Sequence, residues 1–226
     1  MFEAASGGTA ARSDLVLAGP LTQPLCPVKG LRSSFRPARP ALGVSPPVIL
    51  PQTPLAESAL LVNASGEPSL GRELTRELAS ADRVDLLCAF VKRSGLRFVL
   101  DELAALVARA RPRGERQPLR VLTTTYIGAS DIRAIEELAR LGTEVRISYD
   151  DRRTRLHAKA WLFHRENGSH TAYIGSSNLS HAALHEGLEW KVRLACRDAG
   201  PLLDKFRAAF ESYWDSGRVR AVRPRP

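Results

Sequence analysis

From residue 57 onwards the chain alternates short apolar runs with amphipathic stretches of helix length, and this alternation confines it to a layered α/β domain with helices packed on a sheet. Residues 59–62 read as a short strand. Ser69 caps a helix to about residue 80, with Leu70, Leu74 and Leu78 four apart on one face. Residues 84–90 make a buried strand, and 95–109 a helix stopped by Arg111-Pro112-Arg113-Gly114. A strand follows at 119–124. Ser130 then opens a helix to about residue 141, with Gly142 just past its end as a stop. Residues 144–148 form another strand. Residues 158–163 and 171–174 pair as a hairpin through a turn containing Asn167-Gly168. A strand at 188–194 and a helix at 202–214 close the pattern. The hairpin makes the predicted sheet mixed rather than all parallel.

The N-terminal quarter behaves differently. Residues 1–56 hold nine of the fifteen prolines and sustain no periodicity, so they are predicted to be a disordered segment. The domain is expected at 57–216, with a basic tail at 217–226. Much of the net charge of +9 lies outside the domain: residues 1–56 carry five basic and two acidic residues, and 217–226 carry four arginines and no acid. A basic tail adds sequence-blind attraction to phosphates without identifying the domain's substrate. No run of 18 apolar residues occurs and the N-terminus lacks a signal-peptide pattern, so a cytoplasmic protein without a membrane span is expected. Cys26, Cys88 and Cys196 are far apart, odd in number and form no CxxC pair, which suggests neither a zinc knuckle nor a disulfide framework. Cys88 reads as a buried structural thiol.

The chemistry concentrates between residues 152 and 190. His157-Ala158-Lys159 starts a strand, and alternation puts both polar heads on one face. After the hairpin, Gly175-Ser176-Ser177-Asn178 can turn sharply and present N–H, hydroxyl and amide donors. If the two strands pair, those donors return beside His157. A histidine, a lysine and neutral donors at one point suit a phosphate group, whose oxygens gain charge in the transition state. The chain uses 28 arginines and five lysines, so a lysine beside His157 points to a compact charge rather than a planar fork.

His157-x-Lys159 followed by Gly175-Ser176-x-Asn178 resembles the HxK…GSxN signature of the phospholipase D superfamily. Residues 60–214 are similar to the phospholipase D-like domain that precedes DEAD/DEAH-type helicases in many bacterial proteins, through segments 121–126, 155–160, 172–179 and 187–190. The resemblance implies an α/β phospholipase D-like fold in single copy. It also implies metal-independent phosphodiester chemistry with no cofactor. His157 would form a phosphohistidine or protonate the leaving oxygen. Lys159 and Asn178 would hold phosphate oxygens, with Ser176, Ser177 and Arg155 assisting. A downstream carboxylate orients the histidine in the family; Glu189 is the first candidate and Glu186 the second. The family's aspartate position falls at 164, where this chain has His164. On a continuous strand His164 lies on the opposite face from His157 and about 23 Å away. Superfamily sites use two HxK copies and this chain has one, which implies a homodimer or a second phospholipase D-like half. Nucleic acid is the expected substrate class, and a helicase a possible associate. No Gly-x4-Gly-Lys-Ser/Thr motor sequence is present.

Other features read more plainly. His181 and His185 have helical metal-pair spacing but no HExxH glutamate, and an exposed turn is the simpler reading. Asp150-Asp151 beside Arg152, Arg153 and Arg155 reads as a salt-bridged loop, and the arginines read equally as a phosphate-backbone clamp. The 123–126 segment ends a strand of the kind that borders α/β sites. Trp161 and Phe163 are assigned to the core. Two rivals stand beside a nuclease: a lipid phosphodiesterase, which would want an apolar face, and a non-catalytic nucleic-acid-binding module.

Overall fold

The computed structural model describes residues 49–64, 66–109, 117–150, 155–185, 187 and 189–222. The strands are β1 (Ala59–Leu61), β2 (Arg83–Cys88), β3 (Leu119–Thr124), β4 (Glu144–Ser148), β5 (Lys159–His164), β6 (Thr171–Gly175), β7 (Lys191–Ala195) and β8 (Val219–Ala221). The helices are α1 (Leu70–Ser80), α2 (Arg93–Arg109), α3 (Ile132–Arg140), α4 (His181–His185) and α5 (Cys196–Trp214). The described strands make one sheet in the order β1-β7-β6-β5-β2-β3-β4-β8. β2, β3 and β4 run parallel, and the hairpin side is antiparallel. The expected mixed sheet flanked by helices is therefore the observed architecture.

Both faces are covered. Leu70, Leu74 and Leu78 of α1 pack with α2, α3, Trp161, Phe163 and Tyr173 on one face. On the other, Leu203, Phe210 and Trp214 of α5 meet Leu87, Leu122, Ala160 and Leu162. With its 11 residues, α1 is too short to persist alone; burying its three leucines contributes about 1.5–3 kcal/mol each and holds it in place. Ser69 caps it as expected, its Oγ accepting from the Arg72 N–H at 3.4 Å. Gly142 takes φ +83° just after α3, while the cap of that helix is Asp131 rather than Ser130.

The domain is longer at both ends than its composition indicates. Within the segment read as disordered, Pro51 is buried, and the backbone N–H groups of Gln52 and Thr53 donate to the Glu73 carboxylate at 2.9 and 3.3 Å. Fully buried Arg193 donates to the carbonyls of Pro54 and Glu57 while its Nε and Nη2 reach Glu77 at 3.1 and 3.0 Å. Glu77 also binds Arg165, Thr171 and the Tyr173 hydroxyl. This buried network straps residues 52–57 onto the sheet. At the other end, part of the expected tail forms β8, paired antiparallel with β4. The helix predicted at 202–214 starts at Cys196 and kinks at Ala199 beside Pro201, so the sequence pattern marks its second half. Among the described residues no helix is long and apolar enough to cross a membrane.

Candidate active site

Three pieces of backbone converge at the end of β2. Cys88 pairs with Lys159 across the β2–β5 ladder, and one further bond, Ala89 N–H to the Ala158 carbonyl at 3.2 Å, brings His157 to the rim. β5 itself starts at Lys159, so His157 stands just outside the strand, exposed, its ring edge-on to Phe90 at 6.1 Å. The segment after β6 crosses to the same place. Leu179 bridges Val91, its N–H contacts the Phe90 carbonyl and the Cys88 sulfur, and its carbonyl accepts from Lys92. Two glycines permit these approaches. A Cβ at Gly175 would sit 2.1 Å from the Trp190 carbonyl oxygen, and one at Gly95 would sit 2.4 Å from the Leu179–Ser180 peptide.

The convergence delivers most of the expected side chains. Lys159 Nζ lies 3.0 Å from His157 Nδ1 and donates to the His157 carbonyl at 2.7 Å. The same Nζ is 3.2 Å from Nε2; an ammonium only donates, so whichever ring nitrogen accepts from it does so through its lone pair. The Asn178 side-chain oxygen accepts from the Phe90 N–H at 3.2 Å. Ser176 donates its hydroxyl to Glu189, and its N–H binds the Trp190 carbonyl at 3.3 Å. Glu189 thus belongs to the cluster, but the structure joins it to Ser176 rather than to His157. Glu186 lies outside the described residues. Ser177, expected among the phosphate binders, is buried: successive residues of the extended segment face opposite ways, and its hydroxyl turns inward. Arg155 is exposed at the rim, its guanidinium 5.0 Å from the centre of the Tyr126 ring.

His164 is not part of this cluster. It faces the α5 side, where its Nε2 lies 2.7 Å from Asp85 Oδ2. Arg120 binds the other Asp85 oxygen at 2.7 Å and reaches Glu211 of α5 at 2.9 and 3.0 Å. The position is structural, and a histidine serves it because a carboxylate partner is supplied by β2. Trp161 and Phe163 are core, stacked at 6.0 Å. The hydroxyls of Thr123 and Thr124 bind the Ala89 and Ser148 carbonyls, so that strand end braces the rim. His181 and His185 lie on α4 with rings 4.9 Å apart, His185 against Phe98; the expected turn is a short helix.

Burial controls the charges. Lys159 is buried, which lowers its pKa, with Cys88 and Glu189 opposing the shift. Burial raises the Cys88 thiol to about 11, so at neutral pH it is protonated and no nucleophile. Lys191, which the sequence reading did not single out, is also buried beside this group, and burial pushes it down to about 8 against the opposing charge of Glu189. The rarity of lysine that marks Lys159 marks Lys191 equally, and its place two residues after Glu189 puts both on one side of an extended chain. Phe90 was missed as well, since nothing local to residues 84–90 shows that it meets a histidine 67 positions away.

The arrangement is a rim site with one exposed imidazole, a buried lysine beside it and an amide, suited to a single anionic group. Residues 74–214 match the family described as "Cardiolipin synthase, PLD-like domain". Among solved structures, Nuc, a phospholipase D family member from Salmonella typhimurium, is 19% identical with a TM-score of 0.51, the alignment covering 74% of this chain and 99% of that one. NucT from Helicobacter pylori is 14% identical with a TM-score of 0.48, covering 71% and 96%. No curated protein matches this chain. With more than half of its length matched to that family and the same layered fold as Nuc, the chain belongs to the phospholipase D-like family.

Proposed function

We propose that the chain is a metal-independent phosphodiesterase acting on nucleic acid, a nuclease, whose site is completed by a second copy. The observation that supports this reading is the contact of His157 with Lys159 beside the end of β2, where Asn178 also binds the Phe90 N–H and Ser176 binds Glu189. In the proposed reaction the lone-pair nitrogen of His157 attacks phosphorus as the Lys159 ammonium turns from it to the phosphate oxygens, while the other ring nitrogen keeps its proton. A P–N bond forms as the P–O bond to the leaving group breaks. His157 of the second copy gives that oxygen a proton. It then takes a proton from water, whose oxygen attacks phosphorus and releases His157. Lys159 and the Asn178 amide hold the non-bridging oxygens as their charge grows. Arg155, leaning on Tyr126, serves as a backbone contact at the rim. The resemblance to helicase-associated domains supports nucleic acid as the substrate class and a helicase as associate, and the fold shared with Nuc supports a phospholipase D-like site.

The deciding experiment is a cleavage panel in excess EDTA over single-stranded DNA, duplex DNA, RNA and phospholipid, beside His157→Ala. The reading expects cutting of a nucleic acid without metal and a loss of about 10³-fold or more in the variant. Cutting that requires magnesium defeats the mechanism. Nucleic-acid binding without cutting, unchanged in the variant, establishes a binding module instead. Light scattering that finds an active monomer refutes the shared site.

A further inference from the structure

Lys191 is a buried cation that the proposed reaction does not use. It is 5% exposed, and its Nζ is buried with no hydrogen-bond partner among the described residues. Such an atom in a native fold calls for a reason. The sheet register shows where it sits. Cys88 is opposite Lys159, and Gly175 is opposite Lys191. The β5–β6 pairing of Ala160 with Ile174 sets Lys159 opposite Gly175. One cross-strand row therefore runs Cys88, Lys159, Gly175, Lys191 over β2, β5, β6 and β7, and directly opposed residues face the same way. The two lysines are two strand spacings apart, about 10 Å between backbones, with only a glycine between them. The Lys191 side chain leans over that glycine: its Cγ is 3.0 Å from where a Cβ of residue 175 would be. Both lysines feel the same two neighbours, Cys88 and Glu189.

We propose that Lys191 is a positioning residue of this site, its buried ammonium balancing Glu189 from below so that the charge of Lys159 is left to act on a bound phosphate. The inference deepens the phosphodiesterase reading and takes the phosphate position from it. Glu189 makes its hydrogen bond to Ser176 and none to either lysine, so its negative charge stands in the site uncompensated by contact. With Lys191 protonated, the two lysines outweigh one carboxylate and the site attracts an anion. With Lys191 neutral, Lys159 and Glu189 cancel and the attraction is lost. Among the described residues, the charged or titratable groups facing Lys191 are Cys88 from β2, Lys159 from β5 and Glu189 before β7. β6 and β1 present Gly175 and Leu61 in register, and the α4 histidines stack on each other and on Phe98 of α2. Burial raises Cys88 to about 11 and pushes Lys191 down to about 8, so of these two Lys191 changes charge first above neutrality.

Two measurements on the full chain decide the matter. The first is affinity for inorganic phosphate from pH 6 to 10 in wild type, Lys191→Met and Lys191→Arg. Wild type is expected to bind about tenfold more weakly above pH 8 than below it. Lys191→Met should be as weak at pH 7 and show no such step, while Lys191→Arg should bind at pH 7 and keep binding at pH 9. Equal affinity in wild type and Lys191→Met, a step that survives in Lys191→Met, or a wild type that binds no phosphate overturns the proposal. The second is the metal-free cleavage of nucleic acid with the same proteins. If wild type cuts no diester, the phosphodiesterase reading fails while the phosphate titration still judges Lys191. If wild type cuts, kcat/KM should follow the same steps, and a wild-type pH profile retained by Lys191→Met counts against it.

Discussion

The side-chain oxygen of Asn178 accepts from the Phe90 backbone N–H at 3.2 Å, and because a backbone N–H can only donate, the orientation of the amide is fixed. Its NH2 end is left as a donor. The contact joins the Leu179 pairing with Phe90, Val91 and Lys92 in holding the turn after β6 on the end of β2. Asn178→Asp retains the acceptor for Phe90 but turns the donor into an anion. The fold should survive with a melting temperature close to wild type, while the rate of diester cleavage falls about 10²-fold or more. Asn178→Ala should lose the rate and also about 1–2 kcal/mol of stability, since the Phe90 N–H is left without a partner. Equal activity in wild type and Asn178→Asp removes the amide from the proposed chemistry.

Much of the architecture was legible because it depends on local pattern. The cap at Ser69, the strand at residues 119–124 and the hairpin around Asn167-Gly168 all follow from periodicity and turn chemistry, and the structure has them. The spacing from His157 to Asn178 marked the site because one hairpin carries both ends of it. The rest rested on distant partners. Nothing near Gln52 announces that Glu73 will accept its N–H, and nothing near Pro54 announces Arg193. β8 forms only because β4 leaves an unpaired edge for it. Lys191 stayed hidden because its meaning lies in a row across four strands rather than along one.

Gly175 offers a direct test of the crossing. A Cβ there meets the Trp190 carbonyl at 2.1 Å, a backbone atom that cannot step aside without moving the approach to β7. Gly175→Ala should therefore cost about 2–3 kcal/mol, read as a melting temperature lower by about 4–12 °C, and should disturb the Ser176–Glu189 contact. An alanine variant with unchanged stability shows that the two strands are looser at this point than their register indicates.

His164 stands where the family signature has aspartate, and the pair it forms with Asp85 sets a pH dependence. Burial lowers the imidazole pKa, with Asp85 opposing and Arg83 and Arg120 adding to the shift, so His164 is neutral and donates to an ionised Asp85. Burial alone would raise the Asp85 carboxyl, but His164 and Arg120 together hold it low. The unfolded chain takes up a proton at His164 below about pH 6.5 that the folded chain refuses. This share of stability is present above that pH and lost as pH falls through it. Urea unfolding should show wild type gaining stability from pH 5 to 7, and His164→Asn showing a flatter rise. His164→Asp places a second carboxylate against Asp85. It should lose about 2–4 kcal/mol at pH 7 and less at pH 5, where one of the two can protonate. A stable His164→Asp protein at pH 7 shows that the pair opens to water.

Lys191 supplies a stability test that runs opposite to its expected role in function. Its folded pKa of about 8 lies below the value near 10.4 of an unfolded lysine. Between those values the unfolded chain holds the extra proton, so wild-type stability rises with pH across that window. Below about 8 both states are charged and the cost of burying the ammonium is present in full. Replacing it by an apolar chain of similar length removes that cost. Lys191→Met should be more stable than wild type by about 1–3 kcal/mol at pH 7, with the difference shrinking by pH 10.5. Urea midpoints at pH 7, 9 and 10.5 read this directly. A protein that gains stability while losing phosphate affinity identifies a charge kept for the site. One that loses stability at pH 7 shows instead that Lys191 is held by the fold.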